Sequence, residues 1–537
     1  MVLIEGEIMS FVRRNVWKLP PNDETLLWYS RAIGKLQERD LSDPTSWWSL
    51  AAMHGIDEEV WRKFGYIPQG TPLPNSQQLR KLWNQCQHLT WFFLPWHRGY
   101  LAAFEALLRD EIVKLHGPSD WALPYWDYSS DRQSLELPRA FAQPQWPDGS
   151  RNFLHVTRRY GSAQVPIVQT PLILDRRVVP IGPALGEKFF EGTPGEGPAG
   201  FGGVKTTFWH GDEGESKFGG LEQQPHGPVH VWVGGGFKGN GLSQDRFDLG
   251  LMTNPDTAAL DPIFWLHHAN IDRLWKVWLR QVRRPNDGPD VFADPTDPDW
   301  LNGPRDRHFT MPAVDGTLYT FTPRDVLDTE APKLGYLYDD DTQIAEATDR
   351  VAVRFERLGV SPRVASQLSG GLQMAPPKSP SLVGANSSVV RLNSDVVETT
   401  IKLDSGEKQR LSQALSVGPG IAREPDRVFL NLENVKSPSD AAIFYVYVGL
   451  PDDVDPEDDT EHLAGSFSMF GVSKVSHPTA SSGNGVTASF DITSIIDAKH
   501  ATSGLEDELS VKLVAAVPGA TSNDISIGRV SIYRQEQ

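Results

Sequence analysis

Residues 261–280, DPIFWLHHANIDRLWKVWLR, space their apolar side chains as an amphipathic helix does and set two adjacent histidines among them. Asp261 suits a helix N-cap and Pro262 the first helical position, where the missing proline donor costs no hydrogen bond. On the helix that follows, His268 shares a face with Phe264, Ile271 and Trp275, whereas His267 shares one with Ile263 and Leu274. Periodicity does not choose between the two. Asp272, one turn beyond His268, is placed to orient the His268 ring as an acceptor.

The remaining histidine-bearing stretches extend this pattern. His88 and His97 would point in nearly opposite directions on one unbroken helix, so they could not share a metal there. Pro95, in FLPWHRGYLAAFEALLRDEIVKL, removes the difficulty if His88 ends one helix and His97 opens the next, over Leu101, Phe104 and Leu108. His226 and His230 in HGPVHVWVGGG lie four apart, on one face of a short helix with Pro228 near its start and glycines at its end. His54 closes the apolar stretch WWSLAAMHG. The expected fold is therefore a mainly α central domain, an antiparallel four-helix bundle with long loops, whose histidines project inward in two triplets.

A lone histidine is ordinarily a packed or solvated residue, and His116, His155, His210, His308, His462, His477 and His500 are read so. Joint placement among aromatics sets the two triplets apart. Imidazole favours copper, zinc, iron and nickel, whereas magnesium, calcium and manganese prefer oxygen, and a pair of copper ions leads. Cys86, two residues before His88, reads as a small buried hydrophobe. A thiolate ligand would make a mononuclear site lacking its usual axial methionine.

With 537 residues the chain exceeds what one core usually organises. Residues 1–345 hold every candidate ligand, 346–388 read as linker with a Ser/Pro/Gly-rich stretch over 360–388, and 389–537 read as a β-sandwich or barrel. RVFLNLENV, AAIFYVYVGL, ELSVKLVAAV and ISIGRVSIY are short β-branched or aromatic runs between turn-rich or acidic loops. A net charge of −18 argues against nucleic acid and anionic membranes, which need clustered cations, and leaves small neutral substrates open. No run is long and apolar enough to span a bilayer, and the opening MVLIEGEIMSFVRRNVW lacks a secretory signal. One cysteine allows no internal disulfide, so the chain is expected to be cytoplasmic, with homo-oligomerisation left open.

Together LAAMHG, FLPWHRGYLAAFE, HGPVHVWVGG and DPIFWLHHANIDRLW resemble the type-3 copper proteins: tyrosinases, catechol oxidases and haemocyanins. The resemblance covers residues 1–340, and LENV, VYVGLP and AGSFSMFG are similar to the C-terminal domain of longer polyphenol oxidases. It implies one copper on His54, His88 and His97 and another on His226, His230 and His268, the second of the paired histidines. It further implies a Cys86–His88 thioether, and Glu222 as the acid that holds a water and assists phenol deprotonation. A phenol of pKa near 10 that binds as phenolate needs such a proton acceptor. Gly227 stands where some tyrosinases have Asn, which implies weaker monophenol activity, and Tyr336 and Tyr338 would close the domain against Arg13 or Arg14.

The implied activity is oxidation of o-diphenols to o-quinones by O2, with ortho-hydroxylation of monophenols. The rival of another class is a haemocyanin-like oxygen carrier. A dizinc hydrolase is disfavoured because neither triplet contains a bridging carboxylate. The family's architecture also implies that residues 389–537 cap the pocket with an aromatic such as Phe467 or Phe470, with a protease-accessible linker over 360–388.

Overall fold

The histidine-bearing half is built from α1 (Thr25–Gln37), α2 (Trp47–His54), α3 (Phe93–Lys114), α4 (Gly227–Gly234) and α5 (Ile263–Leu279). This is a computed structural model. It describes residues 10–537 apart from 75–80, 160–171, 194, 208–215, 239–240, 244, 285, 306, 342–349, 373–377, 417–422 and 477–482. The start of the opening stretch read for a secretory signal, the start and middle of the expected linker, His210 and His477 thus lie outside the described residues.

Helix α3 packs on α1 and α5 through rings that the 3.6-residue repeat lines up on one face. Phe104 stacks on Trp265 with centroids 3.5 Å apart, and Tyr29 of α1 donates its hydroxyl to the Pro262 carbonyl at 2.9 Å. Asp261 caps α5 as expected from its position, accepting the Ile263 amide at 3.1 Å. Arg159 holds both Asp261 oxygens, at 2.6 and 2.8 Å. The helix itself opens at Ile263, one residue after Pro262.

His88 corrects one expectation. It ends no helix: residues 83–92 are non-helical, and α3 begins at Phe93, which puts His97 in its second turn and Pro95 inside its first. Asn84 and Leu89 have φ of 52° and 58°, left-handed values that stop a helix from running through. Pro95 thus opens α3 rather than separating two helices.

The expected closure by the tyrosine pair is formed by Arg13. Strand β1 (Phe11–Arg13) pairs in parallel with β2 (Tyr336–Tyr338), and the Arg13 guanidinium lies 3.6 Å from the Tyr336 ring centroid. Arg14 turns instead to Asp23, 3.0 Å away. Asp272 joins this closure and does not hold the His268 ring, contrary to the sequence expectation. Its oxygens accept from Arg98 at 2.5 Å, from Arg13 at 3.2 Å and from the Tyr336 and Tyr338 hydroxyls at 2.6 Å each. Two buried guanidiniums need a counter-charge far more than a neutral imidazole needs an acceptor, so they take the carboxylate. Arg13 and Arg98 hold it below the usual carboxylate range despite burial.

Within the segment read as linker, the structure has helices α6 (Arg350–Arg357) and α7 (Pro362–Gly371) around buried Val351, Phe355 and Ala365. Arg354 pairs with buried Asp497 at 2.8 Å, which fastens α6 to the C-terminal half. That half is a nine-stranded sheet of β3 (Ser381–Ala385), β4 (Val390–Arg391), β5 (Val396–Leu403), β6 (Arg427–Lys436), β7 (Ile443–Val448), β8 (Leu463–Ser468), β9 (Val486–Asp491), β10 (Glu508–Ala515) and β11 (Ser526–Gln535). Its order is β8-β7-β10-β5-β3-β11-β6-β9, every pairing antiparallel, with β4 also on β11. The sheet curls into a nearly closed barrel around Val428, Leu430, Phe444, Val446, Phe467 and Val511. No helix among the described residues is long and apolar enough to cross a membrane.

Candidate metal centre

All six singled-out histidines come together between the helices. His54, Cys86, His88 and His97 form one group of potential ligand atoms within 4.8 Å of one another, and His226, His230, His267 and His268 form another. The groups adjoin, since His97 and His268 stack at 4.2 Å with an interplanar angle of 8°. His116, His155, His308, His462 and His500 belong to neither.

Backbone carbonyls aim these rings. Nδ1 of His54 lies 2.8 Å from the Pro255 oxygen, Nδ1 of His97 2.8 Å from Phe93, Nδ1 of His230 2.9 Å from Met252 and Nδ1 of His226 3.3 Å from Glu222. A carbonyl only accepts, so each Nδ1 carries the proton and each Nε2 keeps its lone pair for the centre. Nε2 of His54 and of His226 is buried without a hydrogen-bond partner, an arrangement that costs free energy unless something else binds there. Burial, reinforced by mutual repulsion, lowers His54 to about 3 and holds His97, His226, His230 and His268 well below the ordinary imidazole value. Neutral imidazoles whose Nε2 atoms converge, two of them without any partner, fit a metal pair.

The paired histidines of α5 face different neighbours. His268 turns its Nε2 to within 3.3 Å of His230 Nε2, whereas His267 has its Nδ1 3.3 Å from the Tyr128 hydroxyl. Nδ1 of His268 has no hydrogen-bond partner, and Asp272 points elsewhere. Cys86 Sγ lies 3.6 and 3.5 Å from the two ring nitrogens of His88 and 3.5 Å from His97 Nε2. Burial pushes its thiol up, so the group is protonated in this setting.

Glu222 ties the two groups together. Both its oxygens accept the Leu89 amide, at 2.9 and 3.1 Å, directly after His88, and the short π-turn it begins, Glu222–His226, leads into His226. Burial pushes this carboxyl up to about 8, against the lowering effect of the Leu89 amide.

The C-terminal half covers the centre. Phe470, in the turn after β8, stacks on His230 at 4.1 Å and meets His88 and His226 edge-on at 5.3 and 5.6 Å. Phe467 instead packs inside the barrel against Phe444. A Cβ at Gly227 would come within 2.6 Å of Ser468 Oγ, so the absent side chain makes room for this turn. A cavity of about 200 Å³ remains beside the first group, lined by His54, Asn84, Cys86, His88, Phe470 and Lys474. At that cavity Lys474 pairs with Asp256 at 2.6 Å.

Residues 44–281 match the common central domain of tyrosinase. Over 97% of its length the chain is 31% identical to a tyrosinase of Hahella sp. (strain CCB-MM4), covering 99% of that protein. The chain belongs to the tyrosinase family. It is a copper oxidoreductase of that family, and residues 379–535 match a domain of unknown function. A chloroplastic polyphenol oxidase of Malus domestica is 29% identical over 71% of this chain and 57% of its own length. In fold, this tyrosinase-family chain is similar to a latent aurone synthase (TM-score 0.59, 20% identity, 99% of this chain and 91% of that one). It is likewise similar to a latent apple tyrosinase (TM-score 0.56, 19% identity, 98% of each).

Several contributors escaped the sequence reading. The Pro255, Met252 and Phe93 carbonyls and the Leu89 amide carry no residue-type signature, because every residue offers the same backbone groups. Lys474 and the pair Gln223–Gln224 lacked any spacing relative to the histidines that would have marked them.

Proposed function

We propose that His54, His88 and His97 hold one copper, that His226, His230 and His268 hold the other, and that the pair oxidises o-diphenols to o-quinones with O2 and hydroxylates monophenols ortho to the hydroxyl. The observation that carries this is the carbonyl-set orientation of four imidazoles with Nε2 turned inward. Copper bound there supplies the redox couple through which a phenol gives electrons to dioxygen.

The chain's own residues prepare the substrate. Glu222, buried and raised to about 8, is a base matched to a phenolic proton, and its carboxylate is held by the amide that follows His88 on the turn that leads into His226. The cavity beside the first group, bordered by His54, His88 and the Phe470 ring, is where a phenol would enter once that ring moves. Gly227 offers no side chain to help deprotonate a monophenol, so diphenols are the better substrates. A Cys86–His88 thioether would lock the His88 ring, which sits on irregular backbone, and remove a thiol next to an oxidising centre.

Phe470 makes the intact chain latent in this reading. Its ring occupies the face of His230 that an incoming phenol would approach, and the β-domain supplies it. The decisive experiment combines copper analysis, oxygen-dependent absorption and catechol turnover on the Phe470→Ala chain, which removes the covering ring and leaves the β-domain in place. Paired copper with turnover supports the oxidase; reversible oxygenation without turnover means an oxygen carrier, and absence of paired copper rejects both.

A further inference from the structure

The barrel of the β-domain is open along one seam, between its edge strands β8 and β9. These edges approach one another without a ladder: a Cβ on Gly465 of β8 would lie 3.1 Å from the Phe490 ring of β9 and 2.9 Å from Gln224 Oε1. An exposed strand edge is a row of unpaired amides and carbonyls that natural sheets pair, cover or blunt. Here the catalytic domain supplies the partner. Ser216 accepts the Thr487 amide at 2.8 Å through its carbonyl. Two residues on, Gln223 takes over: its Oε1 accepts the Ser489 amide at 3.0 Å and its Nε2 donates to the Ser489 carbonyl at 3.1 Å.

Residues 487 and 489 of a strand direct their amides and carbonyls to the same side, so these bonds follow the unpaired edge of β9. On the opposite edge Gln224 Nε2 donates to Ser466 Oγ of β8 at 2.8 Å. Gln223 and Gln224 are both buried, and they lie between Glu222 and His226. The chain that carries the proposed base and a proposed ligand is thus the same chain that fills the seam.

We infer that Ser216–Lys217 and Gln223–Gln224 complete the barrel in place of a missing strand, so that the β-domain stays docked after the connecting chain is cut. The pocket is then uncovered by displacement of the Ser468–Gly471 turn and not by departure of the domain. Phe470 lies in that turn, and Gly471, with φ of 77°, gives it a pivot that no L side chain occupies readily. The second statement rests on the capping role proposed for Phe470; the first does not.

A site-specific protease sequence placed between Leu372 and Lys378 tests the inference. After cleavage, size exclusion and native mass measurement are expected to find both fragments in one particle, and separation in native buffer overturns the seam. In the cut protein, Gln223→Ala with Gln224→Ala removes three seam hydrogen bonds. It is expected to raise the dissociation constant of the fragments roughly 10- to 100-fold; an unchanged constant overturns the assignment. Hydrogen exchange on the uncut parent needs no variant: the Thr487 and Ser489 amides should exchange as slowly as those of central β6, and fast exchange rejects their pairing. If the fragments stay together while Phe470→Ala in the uncut chain leaves catechol turnover unchanged, the seam stands and the capping role of Phe470 fails.

Discussion

Truncation of Phe470 to alanine separates capping from every other role of the β-domain. The ring is 2% exposed, stacks on His230 and meets two further imidazoles edge-on. Burial of a phenylalanine side chain is worth about 1.5–3 kcal/mol, and an oriented aromatic pair adds about 0.5–1.5 kcal/mol. Counting the His230 stack fully and the edge-on contacts at the low end, roughly 3–5 kcal/mol holds the ring over the centre. At about 1.4 kcal/mol per factor of ten, the intact chain then exposes its pocket in one molecule in roughly 10² to 4 × 10³. Phe470→Ala removes both the obstruction and the force that keeps it in place. The uncut variant is expected to oxidise catechol about 100-fold faster than the uncut parent, followed as o-quinone absorbance at matched copper content. The same change costs about 3–5 kcal/mol of stability, so the assay belongs well below the unfolding temperature, with near-ultraviolet circular dichroism to verify the fold. A rate within about threefold of the parent, with copper bound and the fold intact, would show that Phe470 does not obstruct the pocket.

Gly227→Asn drives a side chain into Ser468 Oγ and should also lift the turn, so the uncut variant gains diphenolase activity; no gain would show that the turn yields without uncovering the pocket. Asp272→Asn removes the counter-charge of Arg13 and Arg98, and a urea titration should find stability lower by about 3–5 kcal/mol. The copper-free chain should lose stability as pH falls from 6.5 towards 3. The folded pKa of the buried histidines lies below the unfolded one, so the unfolded chain binds more protons throughout that window. The slope is about 1.4 kcal/mol per pH unit for each such histidine, and a flat thermal-unfolding profile between pH 7.5 and 5 would exclude it. Copper loading in air should lower the intact mass by a hydrogen pair if Cys86 joins His88, and Cys86→Ser should abolish that loss.

Much of this molecule is legible from neighbours along the chain. The face shared by Phe264, His268, Ile271 and Trp275, the Asp261 cap and the glycines after His230 depend on residues within a turn or two. Helical spacing and capping are local properties, so they can be read without a fold. The β-branched runs after residue 389 likewise announce strands. The Ser/Pro/Gly content over 360–388 suggested linker, but Pro362 suits a helix start and α7 finds its apolar partners in α6.

Residue order alone settles which side chains could form a dicopper centre and on which helices most of them ride, because histidines spaced along a periodic apolar face declare their side. What each one faces depends on the folded arrangement. Asp272 looked like a partner for His268 one turn away and went to Arg13, 259 positions distant, because buried charge is neutralised wherever the fold brings a counter-charge. His54 is aimed by a carbonyl 201 positions away, and the seam of the barrel is filled from 266 positions away. Such contacts are made by backbone groups and amide side chains that every protein has in abundance. Their meaning comes from place alone, and place is what folding adds.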